Sequence, residues 1–100
     1  MVRSALMPQL LPVINVLLVE DNDSDAFLVE NLLGNGKAAE YKATHARTQE
    51  EAISILSENA FEVCLLDLTL PDASGFSALI DIQNKAPDMP VLILTGVNDT

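Results

Sequence analysis

The stretch VLLVEDNDSDAFLVENLL, residues 16–33, passes from an apolar run through a cluster of acids into a helical pattern. The apolar run starts at residue 13 and is rich in β-branched side chains, which predicts a strand over residues 13–19 that is buried on both faces. Apolar residues between positions 26 and 33 recur at the spacing of a helix, and a polar residue at positions 22–24 can cap it. The stretch therefore predicts a strand, an acidic junction and a helix.

The alternation of strands and helices continues through the rest of the chain. A capping box of Thr48 with Glu51 predicts the start of a second helix. Further strands are expected at residues 41–47, 61–66 and 91–94, and further helices at residues 48 to about 58 and 75 to about 84. Strands that alternate with helices across short loops form a parallel sheet with helices on both faces. The order predicts an α/β fold with a doubly wound parallel sheet.

The composition limits the classes of protein and partner. One hundred residues, 49% of them apolar, suffice for one core, and we divide the chain into an N-terminal arm at residues 1–12 and one domain at residues 13–100. Fifteen acidic residues against five basic ones give a net charge of -10, which argues against nucleic acid or an anionic membrane as a direct partner. No apolar run approaches the roughly 20 residues of a membrane-spanning helix. We therefore predict a cytoplasmic protein in which the lone Cys64 is a small core residue.

Polar side chains follow three of the predicted strands. Glu20 and Asp21 follow the first strand, Asp67 the third and Thr95 the fourth. Because ligands of parallel α/β sheets bind beyond the carboxyl ends of the strands, we expect these four side chains to converge. Oxygen ligands without Cys or His nearby favour a hard cation, Mg2+ or Mn2+. Asp67 is then the candidate nucleophile toward a phosphoryl group, and the Thr95 hydroxyl the candidate hydrogen-bond donor to the phosphoryl oxygens.

Three segments carry a resemblance to a known family. They are LLVEDN at residues 17–22, LLDLTLPDASG at residues 65–75 and LILTG at residues 92–96. In this order and at these separations they resemble the receiver domain of two-component response regulators, from roughly residue 14 to the C-terminus. The resemblance implies a flavodoxin-like sheet with strand order 2-1-3-4, to which a complete domain adds a fifth strand.

The resemblance assigns roles to five residues. Asp67 matches the aspartate that accepts a phosphoryl group from a phosphohistidine on a sensor histidine kinase or a His phosphotransfer protein. Asp21 matches a direct Mg2+ ligand, Glu20 the neighbouring acid that acts through water, and Thr69 the residue whose backbone carbonyl is a further ligand. Thr95 matches the hydroxyl residue that begins a conformational switch. The implied protein is a phosphoacceptor regulatory domain rather than an enzyme, with intrinsic self-phosphorylation and autodephosphorylation chemistry.

One part of the family pattern is missing. In the family, the fifth strand ends on a lysine that pairs with the phosphoryl group, and no lysine follows Thr95 here. We therefore expect the chain to be a C-terminally incomplete piece of a longer protein, with the fifth strand and last helices missing and an output domain beyond Thr100. Residues 91–95 would then form an exposed apolar edge, through which we expect homo-oligomer formation or marginal stability.

Other chemistries fit the sequence less well. The acids from Asp21 onward resemble the start of a calcium loop, but Ala26 stands where that loop needs Gly and Leu32 where it needs Glu. Haloacid-dehalogenase-type phosphatases need a second acid two residues after the nucleophile, where Thr69 stands. A phosphorylation-independent, receiver-like protein-interaction module is the alternative function.

Several other acidic, histidine and aromatic residues are expected to have structural rather than catalytic roles. Asp23 and Asp25 are expected in the first turn of a helix, where acids complement the helix dipole. His45, in a strand-like run, is expected to be a packed or rim residue rather than a phosphodonor. The phenylalanines are expected in the core: Phe27, Phe61 and Phe76.

Overall fold

The computed structural model describes residues 11–36, 38–70, 72 and 75–94. Strands and helices alternate along this part of the chain, as predicted. In chain order they are β1 (Val13–Val19), α1 (Asp23–Gly34), β2 (Glu40–Ala46), α2 (Gln49–Leu56), β3 (Val63–Asp67), α3 (Gly75–Lys85) and β4 (Val91–Leu94). The predicted bounds of β1 and β4 match these, and the other predicted ends differ by at most two residues, because the ends of an element depend on local hydrogen bonds. None of the helices in these ranges combines the length and apolar content needed to cross a bilayer.

The strands of the described residues form a parallel sheet in the order β2-β1-β3-β4. This is the order expected from the sequence. β1 pairs with β2 along its whole length and with β3 up to Val19 opposite Leu66. β3 in turn pairs with β4 up to Asp67 opposite Leu94. The carboxyl ends of β1, β3 and β4 therefore lie side by side at one edge of the sheet.

The core lies on both faces of the sheet because alternate strand residues point to opposite sides. Leu17 and Val19 of β1 pack with buried residues of α2 and α3, whereas Leu18 packs with buried residues of α1. Cys64 of β3 is buried in the same layer as Leu17, which confirms its predicted place in the core. Burial raises the pKa of its thiol to about 12, so the side chain stays neutral.

Two phenylalanines lie outside the core, so the prediction for them is wrong. Phe27 on α1 is 62% exposed and Phe76 on α3 is 71% exposed. The nearby buried positions are Ala26 and Ala78. At roughly 100° per helical residue, Phe27 points about 100° away from Ala26, and Phe76 points about 160° away from Ala78. Phe61, which was also predicted in the core, packs against it but is only partly buried.

The starts of α1 and α2 are both capped by side chains. Asn22, one of the predicted candidates, accepts a hydrogen bond from the Asp25 N–H at 2.9 Å. The Thr48 hydroxyl oxygen accepts one from the Glu51 N–H at 3.0 Å, as the predicted capping box requires. In a capping box the glutamate side chain also accepts a hydrogen bond from the N–H of the capping residue, here Thr48. The structure differs from this prediction, because the Glu51 carboxylate accepts from the Arg47 N–H at 2.7 Å. This bond fixes the backbone one residue ahead of the cap.

Candidate functional site

The carboxylates of Glu20, Asp21 and Asp67 meet at the carboxyl ends of β1 and β3. Glu20 directly follows Val19, the last residue of β1, and Asp67 is the last residue of β3. The two strands are neighbours, so the acids that follow β1 lie beside Asp67. One oxygen from each carboxylate lies within 4.8 Å of the other two. Three of the four side chains predicted to converge therefore do so, although they come from distant parts of the sequence.

The fourth predicted member, Thr95, lies outside the described residues. The strand before it, β4, ends at Leu94, and Leu94 pairs with Asp67. The described part of β4 thus leads to the edge of the sheet where the three carboxylates meet. The role of Thr95 stays a prediction.

Two of the three carboxylates are buried. Glu20 is 1% exposed and Asp67 is 8% exposed, whereas Asp21 is open to solvent. A buried carboxylate is costly unless its oxygens have partners. The Glu20 Oε2 accepts a hydrogen bond from the Asn22 N–H at 3.1 Å, but its Oε1 has no hydrogen-bond partner among the described residues. The site therefore contains an uncompensated buried oxygen next to two other acids.

Glu20 holds a proton more tightly than an ordinary glutamate does. Burial is the main cause that raises its pKa from 4.5 to about 7, and the hydrogen bond from the Asn22 backbone opposes this rise. The neighbouring carboxyl groups of Asp67 and Asp21 raise the pKa further through side-chain contacts, and the negative charge of Asp67 adds to the rise because it disfavours ionisation. A divalent cation among the three carboxylates would offset this repulsion. The donor set and its electrostatics therefore fit a hard cation.

Thr69 holds the Asp67 carboxylate in one orientation. The Asp67 Oδ1 accepts hydrogen bonds from the Thr69 N–H at 3.0 Å and from the Thr69 hydroxyl at 2.8 Å. An aspartate bonded to the backbone two residues later is a common turn contact, so the Asp-x-Thr spacing was a usable signal for it. Sequence reasoning missed the hydroxyl contact and assigned a role only to the Thr69 carbonyl. That carbonyl stays a predicted ligand.

The acids beyond Asp21 belong to the start of α1, as predicted. Asp23 and Asp25 lie in the first turn of this helix. Asp23 forms a salt bridge with Arg47, in which Nε and Oδ1 are 2.9 Å apart. Among the described residues, neither acid belongs to the cluster of three carboxylates that lie close enough together to hold a metal ion. The arrangement supports rejection of the calcium-loop interpretation.

β2 fixes the backbone of Glu20 from the neighbouring position in the sheet. The Nε2 of His45 lies 2.6 Å from the Glu20 carbonyl oxygen, and the Glu20 N–H donates to the Ala46 carbonyl at 2.9 Å. His45 is half-buried, which confirms the prediction of a packed or rim residue. Its contact with the backbone of the site could not be read from the sequence, because only the strand register brings the two residues together.

Comparisons with known proteins agree with this geometry. Residues 16–100 match the family model described as the response regulator receiver domain. The chain is 35% identical over 80 residues to the response regulator protein PilR of Pseudomonas aeruginosa, an alignment that covers 80% of this chain and 17% of PilR. The chain spans well under half the length of the curated relatives it matches.

Solved structures show the same architecture. The non-phosphorylated receiver domain of HemR from Leptospira biflexa matches with a TM-score of 0.69 and 36% identity, over 82% of this chain and 64% of that chain. A response regulator protein from Burkholderia pseudomallei, solved with a phosphorylated aspartic acid, a calcium ion and citrate, matches with a TM-score of 0.69 and 31% identity, over 83% of this chain and 47% of that chain. These likenesses confirm the predicted flavodoxin-like fold. Together with the family model, they show that the chain belongs to the response regulator receiver domain family.

Proposed function

We propose that the chain is a phosphoacceptor signalling domain of a two-component phosphorelay, in which Asp67 accepts a phosphoryl group from a phosphohistidine. The donor is a sensor histidine kinase or a His phosphotransfer protein. The observation that carries the proposal is the meeting of Glu20, Asp21 and Asp67, with one oxygen of each within 4.8 Å of the others. A buried nucleophile then lies beside two further acids at the edge of the sheet where α/β proteins bind ligands.

The donor set supports Mg2+ or Mn2+ as the cation. Carboxylate and carbonyl oxygens are the ligands that hard cations prefer. Asp21, Asp67 and the Thr69 carbonyl would hold the ion directly, and Glu20 would act through water. The solved Burkholderia pseudomallei protein contains a calcium ion together with its phosphorylated aspartic acid. When bound, the cation supplies positive charge that neutralises the phosphoryl oxygens.

The transfer exchanges one bond to phosphorus for another. A carboxylate oxygen of Asp67 forms a bond to phosphorus while the phosphorus–nitrogen bond of the donor breaks, and the imidazole keeps the electron pair and takes up a proton. Thr69 orients the attacking carboxylate through the two hydrogen bonds to its Oδ1. The Thr95 hydroxyl donates a hydrogen bond to the transferred group and begins the switch. Water later hydrolyses the acyl phosphate and regenerates the carboxylate and inorganic phosphate.

The phosphorylated domain changes its contacts with a partner or with an attached output domain. The curated relatives support this part of the proposal, because the matched region covers only 17% of PilR and about a third of two others. A domain at residues 13–100 preceded by an arm at residues 1–12, in the cytoplasm, is the setting that we propose for this reaction.

Beryllofluoride binding tests the assignment of Asp67, because this anion mimics a phosphoryl group on an aspartate. We expect fluorine NMR to show bound beryllofluoride for the unchanged chain with Mg2+ and none for Asp67→Asn. Asp88→Asn is the matched control: it removes one carboxylate from an exposed position between α3 and β4, and it should bind like the unchanged chain. Equal binding by Asp67→Asn and by the unchanged chain would overturn the assignment and favour the phosphorylation-independent interaction module.

A further inference from the structure

A carboxylate from the loop after β3 caps the helix after β2. The Asp72 Oδ1 accepts a hydrogen bond from the Gln49 N–H at 2.9 Å, and its Oδ2 accepts one from the Glu50 N–H at 3.1 Å. These are the first two N–H groups of α2, which have no acceptor within the helix itself. The bonds join positions 23 and 22 residues apart, so they tie the loop to the helix instead of closing a local turn.

The tie is made by a charged group. The two backbone N–H groups lower the pKa of Asp72 below its usual value of 3.8, because they stabilise the ionised carboxylate. The positive end of the helix dipole favours the same charge. Hydrogen bonds to an ionised acceptor are shorter and stronger than those between neutral groups. Asp72 is therefore held by two charge-assisted bonds although it lies at the surface.

The same helix has a second, local cap that does not involve the loop. The Thr48 hydroxyl oxygen accepts a hydrogen bond from the Glu51 N–H. Thr48 directly precedes α2, whereas Asp72 comes from the segment that carries Asp67. The two caps thus stabilise one helix end, and only the Asp72 cap also connects that end to the phosphoacceptor loop.

The start of α2 is itself well supported. Ala52, in its first half, is fully buried in the core layer between the sheet and the helices. The Gln49 side chain donates a hydrogen bond to the carboxylate of Asp81 on α3. The loop after β3 is therefore hydrogen-bonded to a helix end that core packing and the contact with α3 hold in place.

We propose that Asp72 is a positioning residue of the phosphoacceptor site, whose tie to α2 fixes the loop that carries Thr69. This inference rests on the proposed function. Thr69 stands between Asp67 and Asp72 in the chain, and it supplies both hydrogen-bond donors to Asp67 and the predicted carbonyl ligand. Loss of the tie lets this loop move and weakens cation binding without removing any proposed ligand.

The test compares the unchanged chain with Asp72→Ala, Asp72→Asn and Thr48→Ala. Mn2+ binding is followed by electron paramagnetic resonance at a temperature where circular dichroism shows that every variant is folded. Thr48→Ala and Asp72→Ala both remove cap bonds from α2, so both should lower the thermal midpoint. Only Asp72→Ala should weaken Mn2+ binding, by about tenfold, as loss of a residue that supports metal ligands does. Asp72→Asn should fall between, because its amide oxygen can accept one of the two bonds.

Thr48→Ala separates an effect of Asp72 on the phosphoacceptor site from an effect on the stability of α2. Equal Mn2+ dissociation constants for Asp72→Ala and Thr48→Ala would overturn the inference while leaving the proposed function intact. A failure of the unchanged chain to bind Mn2+ would overturn the proposed function, and the role of Asp72 with it. A weakened Mn2+ affinity confined to the Asp72 variants would support the inference.

Discussion

Asp67 and Thr69 are joined by two hydrogen bonds, both donated by Thr69 and both accepted by the same oxygen of the Asp67 carboxylate. The Thr69 N–H lies 3.0 Å and the Thr69 hydroxyl 2.8 Å from the Asp67 Oδ1. The acceptor is a buried carboxylate with other acids close by, so the two donors compensate part of its loss of hydration. The carboxylate that we propose as the phosphoacceptor is thus oriented by its own loop.

Thr69→Val tests the hydroxyl half of this pair, because valine keeps the shape and the N–H but loses the hydroxyl donor. We expect the free energy of unfolding at neutral pH to fall by about 1–2 kcal/mol, since the lost bond has a charged acceptor. Urea unfolding followed by circular dichroism measures this change. Thr44→Val, at an exposed position of β2, is the control and should stay within about 0.5 kcal/mol of the unchanged chain. Equal losses in the two variants would show that the hydroxyl bond contributes no stability.

Glu20→Gln should stabilise the cation-free chain at high pH. The pKa of Glu20 is about 7 in the folded chain and 4.5 as a free side chain, so between these values the folded state binds more protons than the unfolded state. The contribution of Glu20 to the free energy of unfolding is therefore full below pH 4.5 and is lost as the pH rises through about 7. Glutamine does not ionise, so the variant escapes this loss. At pH 8 we expect it to be more stable than the unchanged chain by about 1–3 kcal/mol.

Thermal unfolding in the presence of a chelator, at pH 5 and pH 8, measures this effect. The difference between Glu20→Gln and the unchanged chain should grow with pH. Glu58→Gln, at an exposed position after α2, is the control and should show no such growth. Added Mg2+ should stabilise both proteins, because a ligand that binds only the folded state shifts the equilibrium toward it. The effect should be larger for the unchanged chain, because Glu20→Gln removes one of the three carboxylates of the site. A pH-independent difference would mean that Glu20 ionises normally.

The apolar strand β4 should drive self-association. In the described sheet β4 pairs with β3 on one side, and its Leu92 and Ile93 are exposed. An apolar strand at a sheet edge offers backbone groups for pairing with a second chain. We expect sedimentation velocity to show concentration-dependent dimers, and Leu92→Lys to raise their dissociation constant by at least about tenfold. Thr44→Lys on β2 is the control, and a monomer at every concentration would contradict the prediction.

Two isoleucines on α3 offer a matched test of the core. Ile82 is 0% exposed, whereas Ile80 is 54% exposed. Ile82→Ala should lower the free energy of unfolding by about 2–5 kcal/mol, because it removes buried methyl groups and leaves a cavity. Ile80→Ala should change it by less than about 1 kcal/mol. Urea unfolding of both variants measures the contrast, and similar losses would place the buried face of α3 elsewhere.

The elements and their order were predictable because each depends on a local pattern. β-Branched runs and helical spacing indicate a strand or a helix from a dozen neighbouring residues, and the alternation of the two leads to a parallel sheet. Single helix positions were harder to predict. Phe27 and Phe76 are as apolar as core residues, yet each lies on the outer side of its helix. Which side of a helix meets the sheet depends on packing, and composition does not report it.

The sequence by itself determined that acids stand at the ends of the first and third strands, because strand ends follow from local patterns. The tertiary structure decided what these acids do to one another. The pairing of β1 with β3 brings Asp67 beside Glu20 and Asp21, and that contact raises the pKa of Glu20 beyond the effect of burial. The tertiary structure also decided that the Asp72 carboxylate accepts hydrogen bonds from the start of α2, more than twenty residues earlier in the chain. Contacts of this kind depend on strand order and helix docking, which local patterns constrain only through the whole fold.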